Sequence, residues 1–302
     1  MRRILKWIGI VLGGLLALLL VLVALVYIQS ESIQNRTYET PAISLTVPTD
    51  AASLERGQHL VTVVSDCTGC HGPDLSGNAI IDDPAIGRLI APNLTAGAGG
   101  FGTVLSDEDF ARVLRYGVLP DGKSVRVMPA DDYTHFTDAD LGAVIAYIRS
   151  VPPVDTDHPP SGLGPLGRVL LVTGQLPIMV APRIDFASAG SEPVAMGPTL
   201  EYGAYLIDVA GCTGCHGKGL SGGVIPGAPP GFPEAANLTP SGEVGTWTEA
   251  DFINTIRTGV NPAGRELLPE MPWMTYRNMT DEELQALWAY IQTVPAKEAG
   301  TR

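Results

Sequence analysis

The chain contains four cysteines, and all four fall in two copies of one five-residue stretch, Cys67-Thr68-Gly69-Cys70-His71 and Cys212-Thr213-Gly214-Cys215-His216. Two thiols three positions apart on a helical turn reach the two vinyl groups of one haem and close two thioethers. The histidine that follows then lies under the ring as an axial iron ligand. Gly69 and Gly214 keep the turn small where a porphyrin would press on the backbone. Two other chemistries use C-x-x-C pairs. A redox dithiol has no need of a histidine at the next position, twice. A zinc site would have to bring two distant pairs together and would leave both histidines idle. The reading is two covalently attached haem c groups, with Cys67, Cys70, Cys212 and Cys215 as attachment points and His71 and His216 on iron.

A second pair of residues completes the constellation. Met128-Pro129 and Met271-Pro272 follow the two histidines by 57 and 55 residues. A thioether is a soft ligand that suits haem iron and raises its potential. The adjacent proline has a fixed φ and no N–H, which stiffens a loop that must hold sulfur against iron. Met128 and Met271 are therefore the expected sixth ligands, with Met274 and His135 as the nearby competitors. His59 and His158 have no counterpart of the same type in the other repeat and read as surface residues.

The elements that position these residues also come in two copies, so the chain can be read against itself. Each repeat opens with a short helix, expected over Leu54 to Ser65 and Thr199 to Ala210. Each carries a glycine, Gly57 or Gly203, that a helix would exclude without a packing reason. After each haem motif a Gly/Pro-rich stretch ends in Asn93-Leu94-Thr95 or Asn237-Leu238-Thr239. The tripeptide matches a glycosylation acceptor. Its recurrence at the same offset points instead to a loop beside the haem, with Asn bonding a propionate. Two capped helices follow per repeat, opening at Ser106 and Thr137, and at Thr248 and Thr280. The earlier helix ends at Gly117 or Gly259, next to Arg115 or Arg257, which serve either as propionate partners or as a solvated helix end. The later helix carries one apolar stripe, Leu141, Val144, Ile145 and Ile148, repeated as Leu284, Leu287, Trp288 and Ile291. Tyr147 is expected to pack near Gly57, and Tyr290 near Gly203. Trp247, which the first repeat lacks, could donate to a propionate of the second haem only.

The N-terminus is basic at Arg2, Arg3 and Lys6, then uncharged from Trp7 to Ile28. Those 22 residues span about 33 Å as a helix, enough for a bilayer and longer than a signal-peptide core. The expectation is an uncleaved single-pass anchor with the N-terminus in the cytoplasm and all that follows outside. The chain carries a net charge of −13, and −16 once those three cations are set aside. That balance excludes nucleic acid as a partner and favours basic protein partners or simple solubility. The expected organisation is an anchor at 1–29, a tether at 30–50, haem domains at 51–153 and 198–302, and a linker at 154–197. The linker's apolar run, Val169 to Ala181, is interrupted by Gly174 and Pro177 and reads as a strap over the interface of the two domains, or as a membrane or partner patch.

With these residues in place, each repeat resembles a class I cytochrome c domain, over about 200 of the 302 residues. The whole resembles a bacterial membrane-anchored di-haem cytochrome c, similar to the cytochrome subunits of membrane-bound alcohol and sugar dehydrogenases. Those commonly carry three haems, whereas this chain has motifs for two. The resemblance implies an all-α fold of two tandem cytochrome c-like haem domains behind an N-terminal transmembrane helix. It implies electron transfer on the periplasmic side of the cytoplasmic membrane, not bond chemistry. The expected partners are redox donor and acceptor proteins, a membrane-bound dehydrogenase or respiratory complex among them. A di-haem enzyme such as a peroxidase, with one open haem position, is the alternative, and a subunit that mainly anchors a partner enzyme is a third reading.

Overall fold

The computed structural model describes residues 2–302. Helix α1 (Arg2–Gln34) is 33 residues long and apolar and exposed along most of its length. At 1.5 Å per residue it is about 50 Å long. It continues beyond Ile28 through residues assigned by sequence to the tether.

The first haem domain then opens with α2 (Ala51–His59), capped by Asp50, which accepts from the Ser53 amide. It runs on as a wide π turn over Leu60–Val64. Next come α3 (Cys67–His71), strands β1 (Asn78–Asp83) and β2 (Gly87–Ala91), and helices α4 (Asp107–Tyr116), α5 (Ala130–Tyr133) and α6 (Asp138–Ser150). The linker adds strand β3 (Gly162–Leu163) and helix α7 (Pro165–Val172). The second domain repeats the order with α8 (Leu200–Val209), α9 (Cys212–His216), α10 (Glu249–Thr258), α11 (Trp273–Tyr276) and α12 (Asp281–Ile291).

The fold is mostly helical, as expected, with one addition: β1, β2 and β3 form a three-stranded antiparallel sheet. Ile80, Ile81, Leu89 and Ile90 supply strand-forming residues. Asp83 closes the β1–β2 turn by accepting from the amides of Ala85 and Ile86. The corresponding stretch of the second domain holds Pro226, Pro229, Pro230 and Pro233 and forms no strand.

Each domain is organised by the crossing of its first and last helices. A Cβ at Gly57 would collide with the Ala143 carbonyl and sit 3.0 Å from Tyr147 Cβ. One at Gly203 would collide with the Ala286 carbonyl and sit 2.8 Å from Tyr290 Cβ. The expected Gly–Tyr packing is thus present in both domains, and only glycine permits it. The stripes on α6 and α12 lie on another face and fill the core, with Leu141, Val144, Ile145, Leu284 and Ile291 buried.

The two domains join through a polar cluster with approximate twofold symmetry. Arg56 of α2 makes a two-pronged ion pair with Asp140 of α6, at 2.9 and 2.8 Å. Asp140 also accepts from Tyr205 of α8 at 2.6 Å, across the domain boundary. In the mirror arrangement, Glu283 of α12 accepts from Tyr202 at 3.1 Å and meets His59 of the other domain at 2.7 Å. Asp140 is diverted from the reciprocal half of its capping box, so Thr137 alone caps α6. His59 is therefore not a surface residue as expected. It occupies the position of Tyr205, and both reach across the interface.

The linker strap differs from expectation in what it covers. Leu163, Leu171, Ile178 and Met179 pack with Leu89 of the sheet and Ile33 of α1, so the strap lies over the first domain and the C-terminal end of α1. It meets the second domain at Pro177, against Gly227.

Candidate haem-binding site

Each C-x-x-C-H motif forms one short helical turn entered through a left-handed residue, Asp66 (φ 43°) before α3 and Gly211 (φ 70°) before α9. Glycine takes that conformation without steric cost, and aspartate is among the few side chains that tolerate it. Within the turn, the space at Gly69 is taken by the Asp66 carboxylate, whereas at Gly214 the nearest atom is Asp132 Oδ2 at 3.9 Å, an ordinary contact.

Both motif histidines are buried, and both are oriented in the same way. Nδ1 of His71 lies 2.8 Å from the Pro92 carbonyl, and Nδ1 of His216 lies 2.8 Å from the Ala236 carbonyl. A carbonyl can only accept, so Nδ1 carries the proton and Nε2 keeps its lone pair. Burial lowers both pKa values, outweighing these hydrogen bonds, and keeps the rings neutral. That is the state a metal-ligating imidazole needs, with the outer contact fixing the tautomer.

The recurring Asn-Leu-Thr tripeptide follows directly. Asn93 donates from Nδ2 to the Val154 carbonyl at 2.7 Å and accepts from the Thr95 amide, and Asn237 donates to the Lys297 carbonyl at 2.9 Å. Their carboxamides are spent pinning the loop that presents Pro92 or Ala236 to the histidine. Buried Asn93 is no glycan acceptor.

Arg115 and Arg257 also depart from both sequence readings. Arg115 bonds Asp138 at 2.6 Å and the Phe136 carbonyl at 2.7 Å, and Arg257 bonds Asp281 and the Met279 carbonyl, each at 2.6 Å. Each arginine ties the end of one helix to the start of the next.

A cavity of about 770 Å³ in the first domain is lined by Cys67, Cys70, His71, Leu89, Phe110 and Met128, among others. Its walls are mainly apolar, and its size is that of a cofactor pocket. His158 and Arg126 also line it, with the His158 ring held by the Ser76 carbonyl at 2.9 Å. His158, expected at the surface, is half-buried. Burial lowers the Arg126 pKa, against the opposing charge of Glu31, as for a cation short of partners. The residue between Arg126 and Met128 is strained, since Val127 sits at φ 66°. The competitors lie elsewhere: His135 is half-exposed 3.9 Å from Asp208, and Met274 is 54 % exposed. In the second domain Met271 is half-buried against the core, and Trp247 packs on the same core.

Sequence reasoning missed the residues between the two motifs. Tyr133 and Tyr276 both lie five positions after the Met of their Met-Pro pair. Tyr133 donates to the Ser65 carbonyl at 3.0 Å and Tyr276 to the Ala210 carbonyl at 2.7 Å, lacing the methionine loop to the entry of each haem motif. The shared offset was the available signal. The cavity reaches past Tyr133 and Asp132 to Tyr276, Pro272, Gly214 and Cys215 of the second domain, so the two motifs face one continuous space. Asp66 and Asp132 stand at that junction. Burial raises Asp66, and burial with Asp131 and Asp208 nearby pushes Asp132 up to about 7.

The residues fit haem c and not the alternatives. Burial pushes the Cys67 and Cys212 thiols up to about 12, the reverse of an activated redox dithiol. None of the four cysteines is paired in a disulfide. Among the described residues, no group of three His, Cys, Asp or Glu side chains is placed to hold a metal such as zinc.

Comparison with known proteins places a family on each half. Residues 54–152 match the cytochrome c family, and residues 199–291 match the family of cytochrome c oxidase, cbb3-type, subunit III. The chain is 32 % identical over 288 residues to the cytochrome c subunit of the quinone alcohol dehydrogenase of Gluconobacter oxydans, covering 83 % of this chain and 56 % of that subunit. It is 32 % identical over 136 residues to the cytochrome subunit of fructose dehydrogenase of Gluconobacter japonicus, covering 42 % of this chain and 28 % of that one. A di-haem c-type cytochrome of Cereibacter sphaeroides is 26 % identical over 262 residues, covering 77 % of this chain and 83 % of its own. The chain thus spans about half the length of the alcohol dehydrogenase subunit and less of the fructose dehydrogenase one.

Proposed function

We propose that this chain, a protein of two cytochrome c domains behind an N-terminal apolar helix, is a membrane-anchored relay that passes electrons between its two haems. Electron transfer by covalently bound haem c is what the two domains imply. Beyond that, our reading assigns His71 and Met128 to the first iron and His216 and Met271 to the second. It places the haem domains on the periplasmic side, with a membrane-bound dehydrogenase as the donor class and a respiratory acceptor beyond. It keeps the anchor at 1–29, the tether at 30–50, the domains at 51–153 and 198–302, and the linker at 154–197.

The observation that carries the reading is the cavity that holds Cys67, Cys70, His71 and Met128 and reaches Gly214 and Cys215 of the second motif. When bound, haem supplies one-electron chemistry at iron. The chain's own residues do the rest. His71 and His216 are held neutral with Nε2 free, Tyr133 and Tyr276 fix the loops that carry Met128 and Met271, and the apolar walls keep water from the site. Arg126 is positioned to balance an anionic edge of the first haem. Two methionine ligands leave no open iron position, which separates the relay from a peroxidase.

The test is the visible spectrum of the oxidised, haem-quantified protein. Two haems per chain with a red-edge sulfur–iron band of full intensity for two methionines is the expected result. Half that intensity would show one iron without Met and turn the assignment toward a di-haem enzyme.

A further inference from the structure

The strap helix α7 has two faces. Leu163, Gly167 and Leu171, four positions apart, face inward. The two leucines are buried, and a Cβ at Gly167 would collide with the Ile86 carbonyl. On the other side Leu166 is 45 % exposed and Val169 is 41 % exposed. Nothing in the fold covers them.

Their location decides what would. Arg168, between them, stacks over the ring of Tyr27 at 4.6 Å, pairs with Glu31 at 2.7 Å and donates to Ser30 Oγ at 3.4 Å. Tyr27 and Ile28 end the apolar run of α1, and Ser30 and Glu31 begin its polar end. The strap is therefore fastened to the turn of α1 at which a spanning helix passes from hydrocarbon to headgroups. A tyrosine ring and an arginine are the side chains that favour that level.

Charge agrees. The segment from Ser161 to Ile184 contains Arg168 and Arg183 and no acidic residue, in a chain with 32 of them. An apolar, cationic strip suits an anionic bilayer surface. A protein partner fits less well, because an eight-residue helix about 12 Å long presents far less than the roughly 800 Å² per side of a stable interface.

We propose that the exposed face of α7 lies in the headgroup region of the bilayer beside the exit of α1, so that the chain meets lipid at two places, a spanning helix and a surface-lying strap. The inference rests on α1 being a membrane anchor. It also orients the molecule. The strap packs on Leu89 and Val127, which line the first haem cavity from the other side, so the first haem is the one nearer the membrane.

The experiment uses the haem-loaded full chain in vesicles of phosphatidylethanolamine and phosphatidylglycerol that contain a phospholipid with a photoactivatable diazirine near the glycerol. Labelled peptides are then mapped. Peptides covering α1 and α7 should be labelled, and α7 should exceed α12 on the order of tenfold. The Leu166→Glu, Val169→Glu double variant should bring α7 down to the α12 level and leave α1 labelled. Label on α1 with α7 at the α12 level would overturn the proposal and leave the anchor intact. Absence of label from both would overturn the anchor itself.

Discussion

A carbonyl oxygen has lone pairs but no proton to give, so the Pro92 and Ala236 contacts determine which nitrogen of His71 and His216 keeps its lone pair. Around each histidine the supporting bonds are local and repeated. Removing one has a foreseeable cost. Tyr133→Phe leaves the buried Ser65 carbonyl unpaired and should destabilise the haem-loaded protein by about 1–3 kcal/mol, read as a lower thermal midpoint. Tyr276→Phe should do the same through Ala210, and an unchanged midpoint in both would show that neither hydroxyl holds its loop. The cysteine pairs were legible in the sequence because haem attachment fixes both residue type and spacing. The carbonyls that orient the histidines were not, since any residue supplies a carbonyl. The Asn-Leu-Thr recurrence marked that loop, but not that its carboxamide bonds the Val154 or Lys297 carbonyl.

At the scale of elements, the first and last helices of each domain approach until only hydrogen fits at Gly57 and Gly203. Gly57→Ala and Gly203→Ala should each cost about 1–3 kcal/mol by overpacking, measured by chemical denaturation. Gly162→Ala, where nothing lies within 4 Å of the added methyl, is the matched control and should be neutral. This crossing was readable from sequence because a helix glycine with a tyrosine partner recurred in both repeats. The sheet was not, because it exists in one repeat only and its third strand comes from the linker. The destination of the strap was hidden for a related reason. An apolar run shows that something will be buried but not against which neighbour, and here that neighbour is the end of α1.

For the whole molecule, the carboxylates at the domain boundary set opposing responses to pH. Burial alone would raise Glu283, but the His59 hydrogen bond and charge, the Thr280 amide and Arg56 together hold it below the usual glutamate value. Its contribution is therefore present above the unfolded pKa of about 4.3 and is lost as pH falls through the lower folded value. Asp132 behaves in the reverse sense. With its pKa raised to about 7, the unfolded chain gives up that proton first, and stability falls as pH rises from about 4 toward 7. The thermal midpoint should peak at about pH 4, where the rise from Glu283 gives way to the decline from Asp132. Asp132→Asn should flatten the decline toward neutrality, and Glu283→Gln should flatten the fall in acid. A profile unchanged by either substitution would remove these groups from the account. The arrangement of the two domains was only half legible in the sequence: the repeat showed that there were two, while Arg56, His59, Tyr202 and Tyr205 became an interface only once their helices were placed together.

The shared cavity also imposes an order of events in biogenesis. Gly214, Cys215 and Tyr276 form part of the wall around the first haem pocket, yet they lie more than a hundred residues downstream of Cys67. As the chain is made, the first C-x-x-C-H motif is available well before that wall exists. Docking brings Gly214 and Cys215 up to the first pocket while Cys70 stays exposed, so cofactor reaches the buried Cys67 most freely before the two domains meet.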